Sequence, residues 1–123
     1  MIIIDSDVLI EILDRKSHVG DAALDKIRKS GDIFCITAIN LHAVLYSLIK
    51  FAKPSEYLLQ LPVLFYSKED ARLAAELEVD GERKGKKIAR TDSMIAAIAI
   101  NNNAKLYTNN RKHFEGISRL ELF

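Results

Sequence analysis

The chain of 123 residues is long enough for one domain with a single hydrophobic core. Its composition of 49% hydrophobic and 28% charged residues, with 5 Gly and 2 Pro, is typical of an ordered globular protein and excludes a disordered one. A net charge of +1 gives no overall attraction to nucleic acid or membranes, and no apolar run is long enough for a signal peptide or a membrane span, so we expect a cytoplasmic protein.

The chain begins with a short apolar strand that ends in an acid. Residues 1–5 contain three consecutive isoleucines without polar alternation, which predicts a strand buried on both faces of an α/β layer structure. Asp5 or Ser6 is then the N-cap of a helix over residues 6–13. Because open α/β sheets bind ligands at the carboxyl ends of their strands, Asp5 is either a simple helix cap or a functional acid.

Helices and strands continue to alternate after this helix. We expect a helix over residues 22–27, a strand over residues 33–36, and a helix that is capped by Thr37 and stops before Pro54. The only cysteine, Cys35, lies in the apolar second strand and is predicted to be a core residue.

The middle of the chain is less regular. Residues 55–61 are predicted to form a short helix, whereas residues 62–66 fit either a strand or a buried extended segment. Ser67 and Asp70 form a capping box that opens an amphipathic helix. Residues 81–90 follow this helix and carry five Lys or Arg residues and one Glu.

The C-terminal part contains a helix that is apolar on every side. This helix spans residues 94–100, and Asp92 lies at its predicted N-terminal cap. We expect a strand over residues 104–108, a helical turn over residues 110–114 and an edge strand over residues 119–123. The alternation predicts a mostly parallel sheet with helices on both faces.

Three polar junctions lie at strand ends and helix starts, at Asp5, at Asp92 and at residues 108–110. If parallel strands bring these junctions together, their carboxylate, amide and hydroxyl oxygens are suitable ligands for Mg²⁺, which uses only one or two protein carboxylates. A cation there can neutralise a phosphodiester and activate water for attack. The pattern therefore indicates metal-dependent phosphoryl chemistry.

Four segments that contain these junctions occur in order along nearly the whole chain. They are residues 3–6 (Ile-Ile-Asp-Ser), 36–39 (Ile-Thr-Ala-Ile), 92–97 (Asp-Ser-Met-Ile-Ala-Ala) and 106–114 (Leu-Tyr-Thr-Asn-Asn-Arg-Lys-His-Phe). Together they resemble the PIN domain family, and more narrowly its small stand-alone toxins of VapC type. The resemblance implies a single PIN-like domain over residues 1–123, with the fold of a three-layer α/β/α sandwich.

The resemblance also implies a metal-dependent endoribonuclease, the toxin of a type II toxin-antitoxin pair. In that family the acids matching Asp5 and Asp92 and the polar residue matching Asn110 hold Mg²⁺ or Mn²⁺, and a metal-bound water cleaves RNA. Asp5 and Asp92 are therefore the predicted catalytic residues. The implied partners are the RNA substrate, a small VapB-type antitoxin protein and a second copy of the chain in a homodimer.

One position departs from the family pattern. Asn40 stands where the family usually has Glu; its carbonyl oxygen could bind a cation, but without a charge we expect weaker cation affinity and a weaker capping box opposite Thr37. Asp7 either adds a carboxylate to the cation site or is a solvated acid that favours the helix dipole. Ser6 and Thr108 are predicted to be cap or turn hydroxyls that also orient a metal ligand.

Basic residues near the predicted cleft have two interpretations. They form an ordinary solvated surface, or they bring positive charge to the rim of an acidic site that must accept RNA. The candidate RNA-binding residues are Lys84, Lys86, Lys87, Arg90 and Arg111.

Two other functions remain open from the sequence. The Asp5-Ser6-Asp7 run also resembles the start of haloacid-dehalogenase-type phosphatases, although Val8 and Leu9 replace the Gly-Thr of that family. Alternatively, because of Asn40, the chain is a degenerate PIN module that binds RNA or a protein without cleaving.

Overall fold

The sheet is parallel throughout the part of the chain that the structure, a computed structural model, describes, namely residues 1–14 and 16–123. Within these ranges it has five strands: β1 (Ile2–Ile4), β2 (Phe34–Thr37), β3 (Val63–Leu64), β4 (Lys105–Tyr107) and β5 (Glu121–Leu122).

Helices connect these strands. Over the same described ranges they are α1 (Ser6–Leu13), α2 (His18–Ser30), α3 (Ala38–Lys50), α4 (Lys68–Arg83) and α5 (Arg90–Asn101), with short 3₁₀ helices over Glu56–Gln60 and Arg111–His113. No helix in the described part of the chain is both long and apolar enough to cross a bilayer.

The strand order is β3-β2-β1-β4-β5, so the first strand lies in the middle of the sheet. From β1 the chain moves outward through β2 and β3, and it then crosses back to place β4 and β5 on the other side. The direction of winding therefore reverses between β1 and β4, which pair in parallel. Open α/β sheets bind ligands at the carboxyl ends of strands at such a point. Asp5 and Thr108 directly follow these two strands.

The central strand is buried on both faces, as its three isoleucines predicted. Ile2 and Ile4 pack into a core with residues of α1, α2 and α3, whereas Ile3 packs on the opposite face with residues of α4 and α5. Cys35 is buried beside Ile3, as predicted. The predicted three-layer α/β/α sandwich is thereby confirmed, with a sheet whose observed strand pairs are all parallel.

Several element boundaries differ from the predictions. Helix α2 begins at His18 rather than at residue 22, because the Ser17 hydroxyl accepts the N–H of Gly20 at 3.0 Å and caps the helix early. Helix α5 begins at Arg90, so Asp92 lies in its first turn and is not its N-cap. The cap is Ala89, which makes no side-chain hydrogen bond, and the adjacent Ile88 packs into the core.

Other predicted features are present. The Ser67 capping box with Asp70 forms at the start of α4, and Thr37 is the N-cap of α3. The undecided segment 62–66 contributes the short edge strand β3, which pairs with β2. Helix α4 continues to Arg83, so the basic segment 81–90 is partly helical at both ends.

Candidate active site

Asp5 lies at the carboxyl end of the central strand and is only 8% exposed. It is the N-cap of α1, and its Oδ1 accepts the N–H of Ser6 at 2.8 Å. Its own N–H donates to the carbonyl oxygen of Tyr107 in β4 at 2.9 Å. The sheet and the first helix together therefore hold this carboxylate at the carboxyl ends of the parallel strands β1 and β4, where the direction of winding reverses.

Two side chains from distant elements also hold the Asp5 carboxylate. The hydroxyl of Thr108, which follows β4, donates to Oδ2 at 2.7 Å. The amide nitrogen of Asn40 in α3 donates to Oδ1 at 2.9 Å. Each carboxylate oxygen has two lone pairs, so these bonds and the one from Ser6 engage both at Oδ1 and one at Oδ2. Among the described residues nothing else donates to Oδ2, so one of its lone pairs stays free for another partner.

The orientation of Asn40 differs from the prediction that its carbonyl oxygen could face a cation. That oxygen accepts the hydroxyl of Thr37 at 2.6 Å and its N–H at 3.4 Å, so Asn40 itself completes the capping box of α3. The Nδ2 group must face Asp5, because an ionised carboxylate only accepts hydrogen bonds. In this structure the Asn40 oxygen faces Thr37, and its NH₂ group faces Asp5.

Asp92 lies in the first turn of α5. Its side chain is 19% exposed, and its Oδ2 lies 3.5 Å from Nδ1 of His113. Burial raises the pKa of Asp92; the nearby His113 opposes this shift, and the negative charge of Asp5 adds to it. Asp5 and Asp92, which are far apart in sequence, are thus close enough to repel each other when both are ionised.

Asp7 is half-buried at the start of α1 and is turned toward the main chain. Its Oδ1 accepts the N–H of Val8 at 2.7 Å, and its Oδ2 accepts the N–H of Asn109 at 3.1 Å. Burial and the charge of Asp5 raise the pKa of Asp7, while backbone N–H groups including that of Asn110 lower it. Asp7 therefore ties α1 to the loop after β4.

The remaining polar candidates surround Asp5 in different ways. The hydroxyl of Thr108, while donating to Asp5, accepts the N–H of Asn110 at 3.0 Å. The hydroxyl of Ser6 accepts the second N–H of Asn40 at 3.0 Å. Asn110 contributes its main chain to this network, and its side chain is exposed.

His113 is the site residue that the sequence reasoning missed. His113 lies within the segment 106–114, three residues after Asn110. Its contact with Asp92 depends on the packing of α5 against the loop after β4, which the local sequence does not indicate. A small pocket beyond it is lined by His113, Lys86 and Gly116, among others.

The candidate RNA-binding residues fall into two groups. Lys84 pairs with Asp80 at 2.9 Å, Arg90 pairs with Glu78 at 3.2 Å, and Arg111 donates to the carbonyl oxygen of Phe123 at 3.1 Å. Lys86 and Lys87 are exposed, and the ammonium group of Lys86 lies over Gly116, beside His113. Lys86 therefore lines the same pocket as His113, which contacts Asp92.

The side-chain atoms available as metal ligands decide which cation these residues can bind. Among the described residues, no three His, Cys, Asp or Glu side chains are grouped closely enough to hold a metal ion by themselves. This excludes, for that part of the chain, a structural zinc site with four protein ligands. Two carboxylates with bound water do fit Mg²⁺ or Mn²⁺, since Mg²⁺ keeps several waters and needs one or two carboxylates. Asp5 and Asp92 are the two carboxylates whose charges influence each other here.

Comparison with known proteins shows where this fold recurs. A family model described as PIN domain matches residues 2–120. The crystal structure of VapBC2 from Rickettsia felis bound to a DNA fragment from their promoter contains a chain 27% identical to this one, with a TM-score of 0.81. That alignment covers 100% of this chain and 98% of the other.

Two further crystal structures share the fold at lower sequence identity. DNA-bound VapBC from Salmonella typhimurium is 23% identical with a TM-score of 0.81, covering 99% of this chain and 96% of that one. FitAcB from Neisseria gonorrhoeae is 19% identical with a TM-score of 0.82, covering 100% and 96%. A search of curated proteins finds no match.

Proposed function

This chain belongs to the PIN domain family, as its four sequence segments predicted, and from that premise we propose that it is a metal-dependent endoribonuclease, the toxin of a type II toxin-antitoxin pair. PIN domains are generally nucleases. The observation that carries the proposal is the position of Asp5, held at the carboxyl end of β1 within electrostatic reach of Asp92. The family match over residues 2–120 also replaces the phosphatase interpretation of Asp5 and Asp7.

In the proposed reaction, Asp5 and Asp92 are the catalytic residues and would hold Mg²⁺ or Mn²⁺, with Asp7 and Asn110 as further oxygen ligands at the rim. Such a cation, when bound, neutralises phosphodiester charge and makes water a better nucleophile. The hydroxyl of Thr108 and the main-chain N–H of Ser6 orient Asp5 by donating hydrogen bonds to its carboxylate. Orientation of this kind matters because a ligand held in place loses little freedom when it binds.

The RNA would approach over the positively charged edge of the cleft. Lys86 and Lys87 are the two of the five candidate residues that we assign most directly to phosphate contacts, because the other three already have partners in the fold. Contacts of this type act on the RNA backbone and weaken as salt concentration rises.

Protein partners are part of the same proposal. VapBC proteins are toxin-antitoxin systems, which supports a small VapB-type antitoxin as a partner of this chain. Helix α3 and the residue after it expose large apolar side chains, namely Tyr46, Ile49 and Phe51. Because soluble proteins rarely leave such surface uncovered, we assign it to protein contacts, with the antitoxin or with a second copy in a homodimer. Both would form in the cytoplasm.

Incubating the purified protein with structured RNA tests the proposal. We expect cleavage in the presence of Mn²⁺ or Mg²⁺ and none after EDTA treatment, because the two carboxylates need a cation to act on a phosphodiester. The competing function is a PIN module that binds RNA without cleaving it. This function is favoured by Asn40, which presents an N–H group to Asp5 where an acidic residue would add negative charge for a cation. RNA binding without cleavage at any tested concentration of cation would support that module.

A further inference from the structure

Both halves of the Asn40 side-chain amide are engaged inside the protein. Asn40 is 1% exposed; its oxygen accepts from Thr37, and its nitrogen donates to Asp5 and to Ser6. An N–H group that donates to a carboxylate places partial positive charge beside it, in a site from which water is largely excluded. The ionised form of Asp5 thus has a fixed neutral partner within the fold.

The Asn40 contact also limits what else Asp5 can bind. Ser6 and Asn40 together use both lone pairs of Oδ1, and Thr108 uses one lone pair of Oδ2. A cation can therefore reach one lone pair of Asp5 without breaking a hydrogen bond. A second cation on Asp5 would have to displace the Asn40 amide, the main-chain N–H of Ser6 or the Thr108 hydroxyl.

We infer that Asn40 is a positioning residue for Asp5 and that, together with Ser6 and Thr108, it restricts the site to a single divalent cation shared by Asp5 and Asp92. This inference rests on the proposed metal site and goes beyond it in two respects. It assigns a role to the neutral residue at position 40, and it fixes the number of cations.

The Asn40→Asp variant isolates the contact between Asn40 and Asp5. One carboxylate oxygen of the variant can still accept from Thr37, so the capping box of α3 is retained. The other oxygen replaces the donor that faces Asp5, so attraction becomes repulsion between two buried carboxylates. A cation relieves that repulsion, so the variant should depend on cations more strongly than the wild-type protein does.

Two measurements without RNA test the inference. We expect titration with Mn²⁺, followed by electron paramagnetic resonance, to give one Mn²⁺ per wild-type chain. Without metal, Asn40→Asp should lower the Tm by about 5 °C or more. Saturating Mn²⁺ should then raise the Tm of the variant by more than it raises that of the wild type, and its Mn²⁺ affinity should increase on the order of tenfold.

Asn102→Asp is the control for the added charge, because Asn102 is exposed at the far end of α5 from Asp92. It also loses the hydrogen bond from Asn102 Nδ2 to the carbonyl oxygen of Ile98, so only its response to Mn²⁺ is compared. It should leave the number of bound Mn²⁺ ions and the Mn²⁺-induced rise in Tm as in the wild type. Two Mn²⁺ ions per wild-type chain, or no bound Mn²⁺, would overturn the inference. So would an Asn40→Asp protein whose Tm rises with Mn²⁺ by no more than that of Asn102→Asp.

The outcomes also separate this inference from the proposed function. A protein that binds one Mn²⁺ and shows the expected Asn40→Asp effects, but does not cleave RNA, supports the inference and contradicts the nuclease. A protein that cleaves RNA with two bound Mn²⁺ ions supports the nuclease and contradicts the inference.

Discussion

The Asp5→Asn protein is expected to fold normally and to cleave RNA at a rate lower by about a thousandfold or more. Asparagine has the same shape as aspartate, and its carbonyl oxygen can accept from Ser6 and Asn40 as Oδ1 does now. Its NH₂ group would face the hydroxyl of Thr108, which has a lone pair to accept it. The substitution therefore removes a charge and keeps the contacts of residue 5, with the direction of the Thr108 hydrogen bond reversed.

The measurement is a single-turnover cleavage rate at saturating RNA, with thermal unfolding of the same samples. Asp25→Asn is the control, because Asp25 also loses a negative charge but lies in an exposed ion pair with Lys29 on α2. We expect the control to cleave at the wild-type rate. Cleavage by Asp5→Asn at that rate would remove Asp5 from the reaction.

The second large effect is on stability, at the contact between α1 and α2. A Cβ atom at Gly20 would lie 1.9 Å from the carbonyl oxygen of Glu11, 2.4 Å from its carbonyl carbon and 2.9 Å from the backbone nitrogen of Ile12. These are main-chain atoms of a helix and cannot rotate away. Gly20→Ala must therefore push the two helices apart and disturb the core contacts of Val8 and Leu9.

We expect Gly20→Ala to lower the free energy of unfolding by about 3 kcal/mol or more, measured by urea denaturation. The sign is informative, because Gly to Ala within an unhindered helix is normally stabilising by about 0.5–1 kcal/mol. Val19→Ala, at the adjacent exposed position of the same helix, should change stability by no more than about 0.5 kcal/mol. Equal urea midpoints for the two variants would show that the helices do not meet at Gly20.

Local patterns were sufficient for most of the fold. The three isoleucines of β1 predicted a strand buried on both faces because a run without polar alternation places apolar side chains on both faces of the sheet. Thr37 and Ser67 predicted helix starts because their hydroxyls accept main-chain N–H groups a few residues ahead, which is a local interaction. The start of α5 was misplaced because its cap, Ala89, has no polar side chain and gives no such signal.

The site was predictable only in part. Asp5 was identified because it ends a central strand, where parallel sheets place ligands. The direction of the Asn40 amide could not be predicted, because it depends on Asp5 and Ser6, which meet α3 only in the folded protein. The same reason applies to His113, whose contact with Asp92 joins segments on different elements.

Binding of Mn²⁺ to the wild-type protein, Asp5→Asn and Asp92→Asn, followed by electron paramagnetic resonance, tests most directly whether these two residues share a cation. We predict that each substitution weakens Mn²⁺ binding on the order of 100-fold, because each removes a charged ligand from the same ion. Mn²⁺ affinity in both variants equal to that of the wild-type protein would contradict the account.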